Sequence, residues 1–189
     1  MKLYRLVRLV EQFGTLILDG DLLREALGRK ILLKSTMLSE NIGDKWPEIS
    51  CWFHSIHEDE AMEEKPDIYL TESMWLVLSE RAKKLLEPEL RKAGEFLPFD
   101  CIGEPYYLLV PHHIIPVDED KSEHYLIQGV TQGTEKVVFR NEDVGLHVLF
   151  KTDFDNGINL YCSEKFKKSV EKHNLSGIHF DTNLARSMR

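Results

Sequence analysis

Residues 75–86 read Trp-Leu-Val-Leu-Ser-Glu-Arg-Ala-Lys-Lys-Leu-Leu, an apolar run followed by the start of a helix. The apolar residues Trp75–Leu78 are typical of a buried strand. Ser79 can accept a hydrogen bond from a free amide of the first helical turn, and Glu80 places negative charge where the helix dipole favours it. The stretch therefore predicts a strand that runs directly into a capped helix, and the rest of the chain can be arranged around this unit.

The predicted helix has one apolar face. The apolar residues that recur at helical spacing are Ala82, Leu85, Leu86, Leu90 and Ala93. Pro88 interrupts the pattern because it has no amide hydrogen to donate to the preceding turn. We therefore expect a kink, or two short helices, near Glu87.

A similar unit follows at residues 158–170, Ile-Asn-Leu-Tyr-Cys-Ser-Glu-Lys-Phe-Lys-Lys-Ser-Val. An offset of 84 residues places Ser79 on Ser163 and Glu80 on Glu164. Such a match can arise from a structural duplication. Capping preferences alone make strand–Ser-Glu–helix matches common, and we favour this simpler explanation.

The other segments alternate between strand and turn signals. The β-prone runs are residues 2–10, 49–56, 106–111, 125–130, 136–140 and 178–180. Two of them, 125–130 and 136–140, predict a hairpin around Gly133. Asp21 can cap a short helix that Gly28 ends. Together these elements predict an α+β fold with a mixed, mainly antiparallel sheet and a few short helices packed on it.

A chain of 189 residues is expected to form one domain. We divide it into an N-terminal variable portion, residues 1–64, which belongs to the same domain or is a small appendage, a core of residues 65–181, and a polar tail of residues 182–189. An apolar run of ~18 residues, as a membrane helix needs, is absent from the sequence. Three widely spaced cysteines indicate reduced thiols rather than a disulfide framework, so we expect a cytoplasmic protein.

The formal net charge is −8, and this sign restricts the classes of partner. An acidic protein repels phosphate backbones, which disfavours a nucleic-acid partner. The same field would attract a basic protein and speed its association. The simpler alternative is that the acidity keeps the protein in solution.

Two acidic runs, residues 57–64 and 118–123, carry much of this charge, and two tryptophans lie near the first run. Aromatic anchors ringed by charge are typical of interface hot spots. The alternative is that both runs are solvated loops. The candidate partner-binding residues are Trp46, Trp52, Glu58, Asp59, Glu60, Glu63, Glu64, Asp118, Glu119, Asp120 and Glu123.

Two further clusters could carry chemistry. Cys51, His54 and His57 resemble metal ligands, but a structural zinc site needs a fourth ligand, and in a strand Cys51 and His54 point to opposite faces. His112 or His113 could act as a general base, although no nucleophile or orienting carboxylate adjoins them in sequence. Phosphate-binding glycine loops and nucleophile elbows are also absent from the sequence. We expect neither metal nor cofactor.

In its order of motifs, the chain resembles a family of bacterial immunity proteins encoded beside polymorphic toxins. The matching motifs are Lys65-Pro-Asp-Ile, Leu78-Ser-Glu-Arg-Ala-Lys-Lys-Leu-Leu-Glu, Glu95-Phe-Leu-Pro-Phe, Tyr106-Tyr-Leu-Leu-Val, Val117-Asp-Glu-Asp-Lys-Ser-Glu, Val148-Leu-Phe, Leu160-Tyr-Cys-Ser-Glu-Lys-Phe-Lys and Leu175-Ser-Gly-Ile-His-Phe. They span roughly residues 65–180, whereas residues 10–64 show no such similarity.

The resemblance implies a small α+β protein without catalytic residues, which binds a cognate toxin domain and neutralises it. It supplies no functional residues, so the candidate surface rests on charge and aromatic content alone. Two alternatives stay open: a small hydrolase or nucleotide-modifying enzyme that uses His112 or His113, and an interaction module unconnected with toxins. The sequence leaves self-association open.

Overall fold

The structure, a computed structural model, describes residues 1–29, 41–54, 65–71 and 75–185. Within these ranges the chain forms three sheets and five α-helices, which confirms the predicted α+β class. The strands are β1 (Leu3–Arg8), β2 (Thr15–Leu18), β3 (Ser50–His54), β4 (Ile68–Leu70), β5 (Leu76–Ser79), β6 (Gly94–Cys101), β7 (Glu104–Pro111), β8 (Glu123–Ile127), β9 (Val130–Lys136), β10 (Leu149–Phe150), β11 (Tyr161–Ser163) and β12 (Ile178–Asp181).

The α-helices are short and lie between the strands. They are α1 (Val10–Phe13), α2 (Gly20–Leu27), α3 (Glu80–Leu90), α4 (Asn141–Val144) and α5 (Glu164–Lys172). A single 3-10 turn is described at Gly43–Lys45. Among the described residues, no helix has the length and apolar character needed to span a bilayer.

The larger sheet has six strands in the order β2-β3-β6-β7-β5-β4, and the second has four in the order β10-β11-β1-β12. Strands β8 and β9 form a separate two-stranded sheet. All strand pairs are antiparallel except β3 with β6. Strand β1 lies between β11 and β12, and β2 and β3 extend the larger sheet, so strands from residues 1–64 are integrated in both.

The unit at residues 75–86 folds as predicted. Strand β5 leads directly into α3, and Ser79 Oγ accepts a hydrogen bond from the Ala82 amide at 3.1 Å. Of the two expectations for Pro88, the division into two short helices is wrong, because α3 continues as one helix to Leu90. Leu86 and Leu90 are fully buried on either side of the proline, and their packing holds the helix together across the missing hydrogen bond.

The two similar units share an arrangement that capping does not require. In each, two parallel strands joined by a helix flank a third, antiparallel strand: β5 and β6 flank β7, and β11 and β12 flank β1. A short outer strand, β4 or β10, completes each set. We call β4, β5, α3, β6 and β7 the first repeat, and β10, β11, α5, β12 and β1 the second repeat.

The strand register of the two repeats is also the same. The paired residues are Leu78 with Tyr107 and Phe96 with Leu109 in the first repeat, and Cys162 with Tyr4 and Phe180 with Leu6 in the second. Cys162 and Phe180 correspond to Leu78 and Phe96, and Tyr4 and Leu6 correspond to Tyr107 and Leu109. The simpler explanation, capping chemistry used twice, does not account for a shared register on the central strand.

A lysine on each helix makes equivalent contacts. Lys83 forms an ion pair with Glu87 at 2.9 Å, and its ammonium lies 5.6 Å and 4.9 Å from the ring centres of Phe96 and Tyr107. These rings belong to β6 and β7. The lysine therefore connects the helix with one flanking strand and with the central strand of its repeat.

Lys167, which lies 84 residues after Lys83, makes the equivalent contacts in the second repeat. It pairs with Glu171, and its ammonium lies 5.5 Å from the ring centre of Tyr4 and 5.8 Å from that of Phe180. Both repeats contribute to one hydrophobic core, in which Leu86 and Phe166 are fully buried. The two units thus form one packed body.

The predicted hairpin exists, but its position was wrong. Strands β8 and β9 turn at Gln128 and Gly129, which both have positive φ (50° and 79°), as a two-residue hairpin turn requires. Gly133 lies within β9 and pairs with Tyr125. The turn was missed because glutamine is not a usual first residue for it.

Candidate functional site

The acidic turn, residues 118–123, leads from the body of the protein into strand β8. Asp118 is its buried carboxylate, with 5% of its surface exposed. Its carboxylate accepts a hydrogen bond from Lys121 Nζ at 2.9 Å and lies 3.6 Å from Arg140, and the pKa of Asp118 is lowered chiefly by the Lys121 hydrogen bond. Its carbonyl oxygen accepts from the Ser122 amide. In the free protein, Asp118 therefore holds the turn together.

The other carboxylates of the acidic turn face solvent. Glu119, Asp120 and Glu123 are all exposed. Glu123 lies 3.9 Å from Lys136 across the hairpin, a distance at which an exposed pair contributes little. These three side chains remain available for an external partner.

Strands β8 and β9 form the hairpin arm, residues 123–136. Its tip exposes three apolar side chains, Leu126 (55%), Ile127 (50%) and Val130 (59%). His124 stacks on Phe154 with a ring-centre distance of 4.0 Å and attaches the arm to the body. A group of exposed apolar residues at a strand tip is typical of an interaction surface.

The acidic turn leads directly into the arm, so that apolar side chains lie at the tip and carboxylates at the base. This order resembles the apolar centre and polar rim of a protein interface. The sequence reasoning included the carboxylates of this surface but missed its apolar tip. The signal available was Leu126-Ile127 and Val130 on either side of a glycine-containing turn.

The two candidate tryptophans lie elsewhere, beside the larger sheet. Trp46 is half-buried, and its indole Nε1 donates to the Pro98 carbonyl at 2.8 Å. Trp52 lies on β3 opposite Ile17 and is 47% exposed. Among the described residues, no hydrogen bond or ion pair connects either tryptophan with the acidic turn.

The first acidic run cannot be placed beside them. The candidate carboxylates Glu58, Asp59, Glu60, Glu63 and Glu64 lie outside the described residues.

The cysteine–histidine cluster is separated in the part that can be described. Cys51 is buried and His54 is exposed, as expected for opposite faces of β3, and His57 lies outside the described residues. Cys51 instead pairs with Cys101 of β6, which is also a buried free thiol. No set of three or more potential metal ligands is found in the described ranges.

Of the two candidate histidines, His113 lines a groove of about 390 Å³ between α3 and the segment before β10. His113 contacts His147 with ring centres 4.0 Å apart, and Glu89 lines the same groove. Burial and the neighbouring His147 lower the pKa of His113. Glu89 Oε1 accepts from Ser169, so this carboxylate bonds to α5 rather than to an imidazole. The groove brings a base and a carboxylate together, and the serine beside them, Ser169, is hydrogen-bonded to the carboxylate of Glu89 rather than to a histidine.

A comparison with protein-family models decides the family. A model described as "Immunity protein family (Imm11)" matches residues 11–184. The chain belongs to the Imm11 immunity protein family. This confirms the resemblance drawn from the motifs. The match also includes residues 11–64, where no resemblance was found.

No curated protein matches this Imm11 member. The family supports an immunity function in general, and the partner of an immunity protein is a toxin. The family match does not assign a role to any residue. The surface that acts has to be argued from the geometry of the chain itself.

Proposed function

We propose that this Imm11 protein protects the cell by binding its cognate toxin directly, without catalysis, in the cytoplasm. The observation that carries the proposal is the surface formed by the hairpin arm and the acidic turn. It combines three exposed apolar side chains at the tip with Glu119, Asp120 and Glu123 at the base.

The apolar tip supplies the part of the interface that excludes water. Each of Leu126, Ile127 and Val130 is about half exposed in the free protein, so a partner could bury substantial apolar surface. Burial contributes roughly 25 cal/mol for each Å² of apolar surface removed from water.

The carboxylates at the base supply charge complementarity. The exposed carboxylates and the net charge of −8 favour a toxin surface that is basic where it meets the arm. Such charges mainly raise the association rate, whereas the apolar tip determines how slowly the complex dissociates. Trp52 is a further exposed aromatic side chain. It lies on the larger sheet, so any contact that it makes with the toxin is separate from the contact of the hairpin arm.

Co-expression with the toxin encoded beside this protein tests the proposal. We expect growth to be restored and the two proteins to co-purify, and we expect Val130→Ser to weaken the complex at least about tenfold. Ile102→Ser is the matched control, since Ile102 is an exposed apolar residue (66%) in another turn. Absence of both rescue and complex with the wild-type protein would contradict direct binding.

A further inference from the structure

The two repeats differ at the start of their helices. In the first repeat, Ser79 Oγ accepts from the Ala82 amide and donates to Asp67 Oδ1 at 3.1 Å. Arg81 donates to the other oxygen of Asp67 at 2.6 Å. A carboxylate, a serine hydroxyl and a cationic side chain therefore complete this helix start.

The second repeat keeps the serine and the cation but lacks the carboxylate. The Ser79 amide donates to the Asp67 carbonyl at 2.8 Å, and the Ser163 amide donates to the Val148 carbonyl at 3.1 Å. Val148 thus takes the place of Asp67. Lys165 takes the place of Arg81, two residues after the serine.

The Ser163 hydroxyl is left without a hydrogen-bond partner as a result. Only 7% of its surface is exposed, its Oγ bonds to no other group, and it makes no capping bond to α5. A buried hydroxyl without a partner costs about 1–3 kcal/mol. Its counterpart Ser79 shows which partner suits this position, namely a carboxylate.

A groove of about 670 Å³ opens beside Ser163. Ser163, Val148 and Lys165 line it together with Leu146, which is 99% exposed. Three more lysines, Lys2, Lys168 and Lys172, also line the groove, against one carboxylate, Glu164, which lies 3.6 Å from Lys168. The groove is therefore basic, although the whole chain is acidic.

We propose that Ser163 and Lys165 bind an aspartate or glutamate side chain of the toxin, in the role that Asp67 has in the first repeat. The inference rests on the proposed function, since the toxin supplies the carboxylate. The Ser163 hydroxyl and the Lys165 ammonium donate to the carboxylate, and the helix start favours its negative charge. Leu146 packs against the apolar part of the same toxin segment.

The affinity of the purified toxin domain for single variants tests this site. Lys165→Gln removes the exposed ammonium and is expected to weaken binding at least about tenfold. Val148→Asp places a carboxylate inside the chain, where it occupies Ser163 and Lys165, and is expected to weaken binding further. Lys84→Gln is the matched control, because Lys84 is an exposed lysine on α3 that pairs with Glu80 as Lys168 pairs with Glu164.

The outcomes separate this inference from the proposed function. If the wild-type complex forms and both groove variants bind as tightly as Lys84→Gln, the inference is wrong and direct binding stands. If the wild-type complex does not form, direct binding fails, and a second probe decides the site. The probe is N-acetyl-aspartate amide, which should shift the amide NMR signals of residues 165 and 166 saturably in the wild type and should not shift them in Lys165→Gln. The uncharged N-acetyl-asparagine amide should shift these signals in neither protein. Equal shifts with both compounds, or none, would overturn the site.

Discussion

Tyr161 donates a 2.7 Å hydrogen bond to Asp155 Oδ2 in the interior of the protein. The same carboxylate accepts from Asn159 Nδ2 at 2.7 Å and from the Gly157 amide at 3.0 Å. Burial nevertheless raises the pKa of Asp155, and a fully buried lysine, Lys151, lies in the same region. These buried charges are satisfied locally but carry a desolvation cost.

The desolvation cost of burying Lys151 depends on pH. Burial lowers its pKa from 10.5 to about 8. Between these values the unfolded chain binds more protons than the folded one, so stability attributable to Lys151 increases from about pH 8 to pH 10.5. We compare the free energy of unfolding of Lys151→Met with that of the wild type. The difference in favour of the variant should be largest near pH 7 and should decrease by roughly 2–3 kcal/mol by pH 10.5. Urea unfolding at several pH values measures the difference, and a constant difference would contradict the assignment.

Asp67 connects the start of α3 in the first repeat with the segment that precedes β12 in the second repeat. Its carboxylate accepts from Ser79, Arg81 and the Ser176 amide. We expect Asp67→Val, which copies Val148 of the second repeat, to lower the free energy of unfolding by about 2–3 kcal/mol, because these donors lose their acceptor. Asp21→Val is the control. Asp19, and not Asp21 as predicted, caps α2, and the Asp21–Arg24 pair is exposed and should matter little. Equal denaturation midpoints for the two variants would argue against this role of Asp67.

The three cysteines are all buried free thiols. The hydrogen bond to Cys101 and burial raise the pKa of Cys51, and burial raises that of Cys162. The hydrogen bond with Cys51 lowers the pKa of Cys101, but the Cys101 side chain is fully buried. A thiol must be both ionised and accessible to react, so we expect no rapid reaction with a disulfide reagent at pH 8 in the native protein and three reactive thiols after unfolding. A native thiol that reacts at the rate of free cysteine would show that this packing is wrong.

The acidic turn should control how fast the toxin associates. We expect Glu119→Lys with Asp120→Lys to lower the association rate about tenfold at low ionic strength, and the difference to shrink as salt screens the charges. Glu25→Lys with Glu48→Lys changes the net charge equally at exposed sites elsewhere and serves as the control. Equal rates for the two double variants would leave the acidic turn without a part in recognition.

Local signals in the sequence predicted much of the fold. The cap at Ser79, the apolar face of α3 and the β-prone runs on which strands such as β1 and β7 lie all depend on neighbouring residues. The continuity of α3 through Pro88 could not be predicted, because it depends on the burial of Leu86 and Leu90 by distant strands. The hairpin was predicted in the wrong register because Gln128 adopts positive φ without being a typical turn residue.

The candidate site was predictable only in part. Charge located the acidic turn, but a run of carboxylates does not show that Asp118 is buried against Lys121 and Arg140. The unpartnered hydroxyl of Ser163 could not be found from the motif, because Ser79 and Ser163 look alike in sequence. The difference arises from Asp67 and Val148, which become equivalent only when β4 and β10 pair with β5 and β11.

Direct binding is tested most directly by titrating a fixed amount of the active toxin domain with this Imm11 protein. A binder that blocks the toxin should abolish its activity with a sharp endpoint at one equivalent, and alanine at His112 and His113 should not move that endpoint. Complete protection at a small fraction of an equivalent, increasing with time and lost in the double-alanine variant, would contradict direct binding and indicate catalysis.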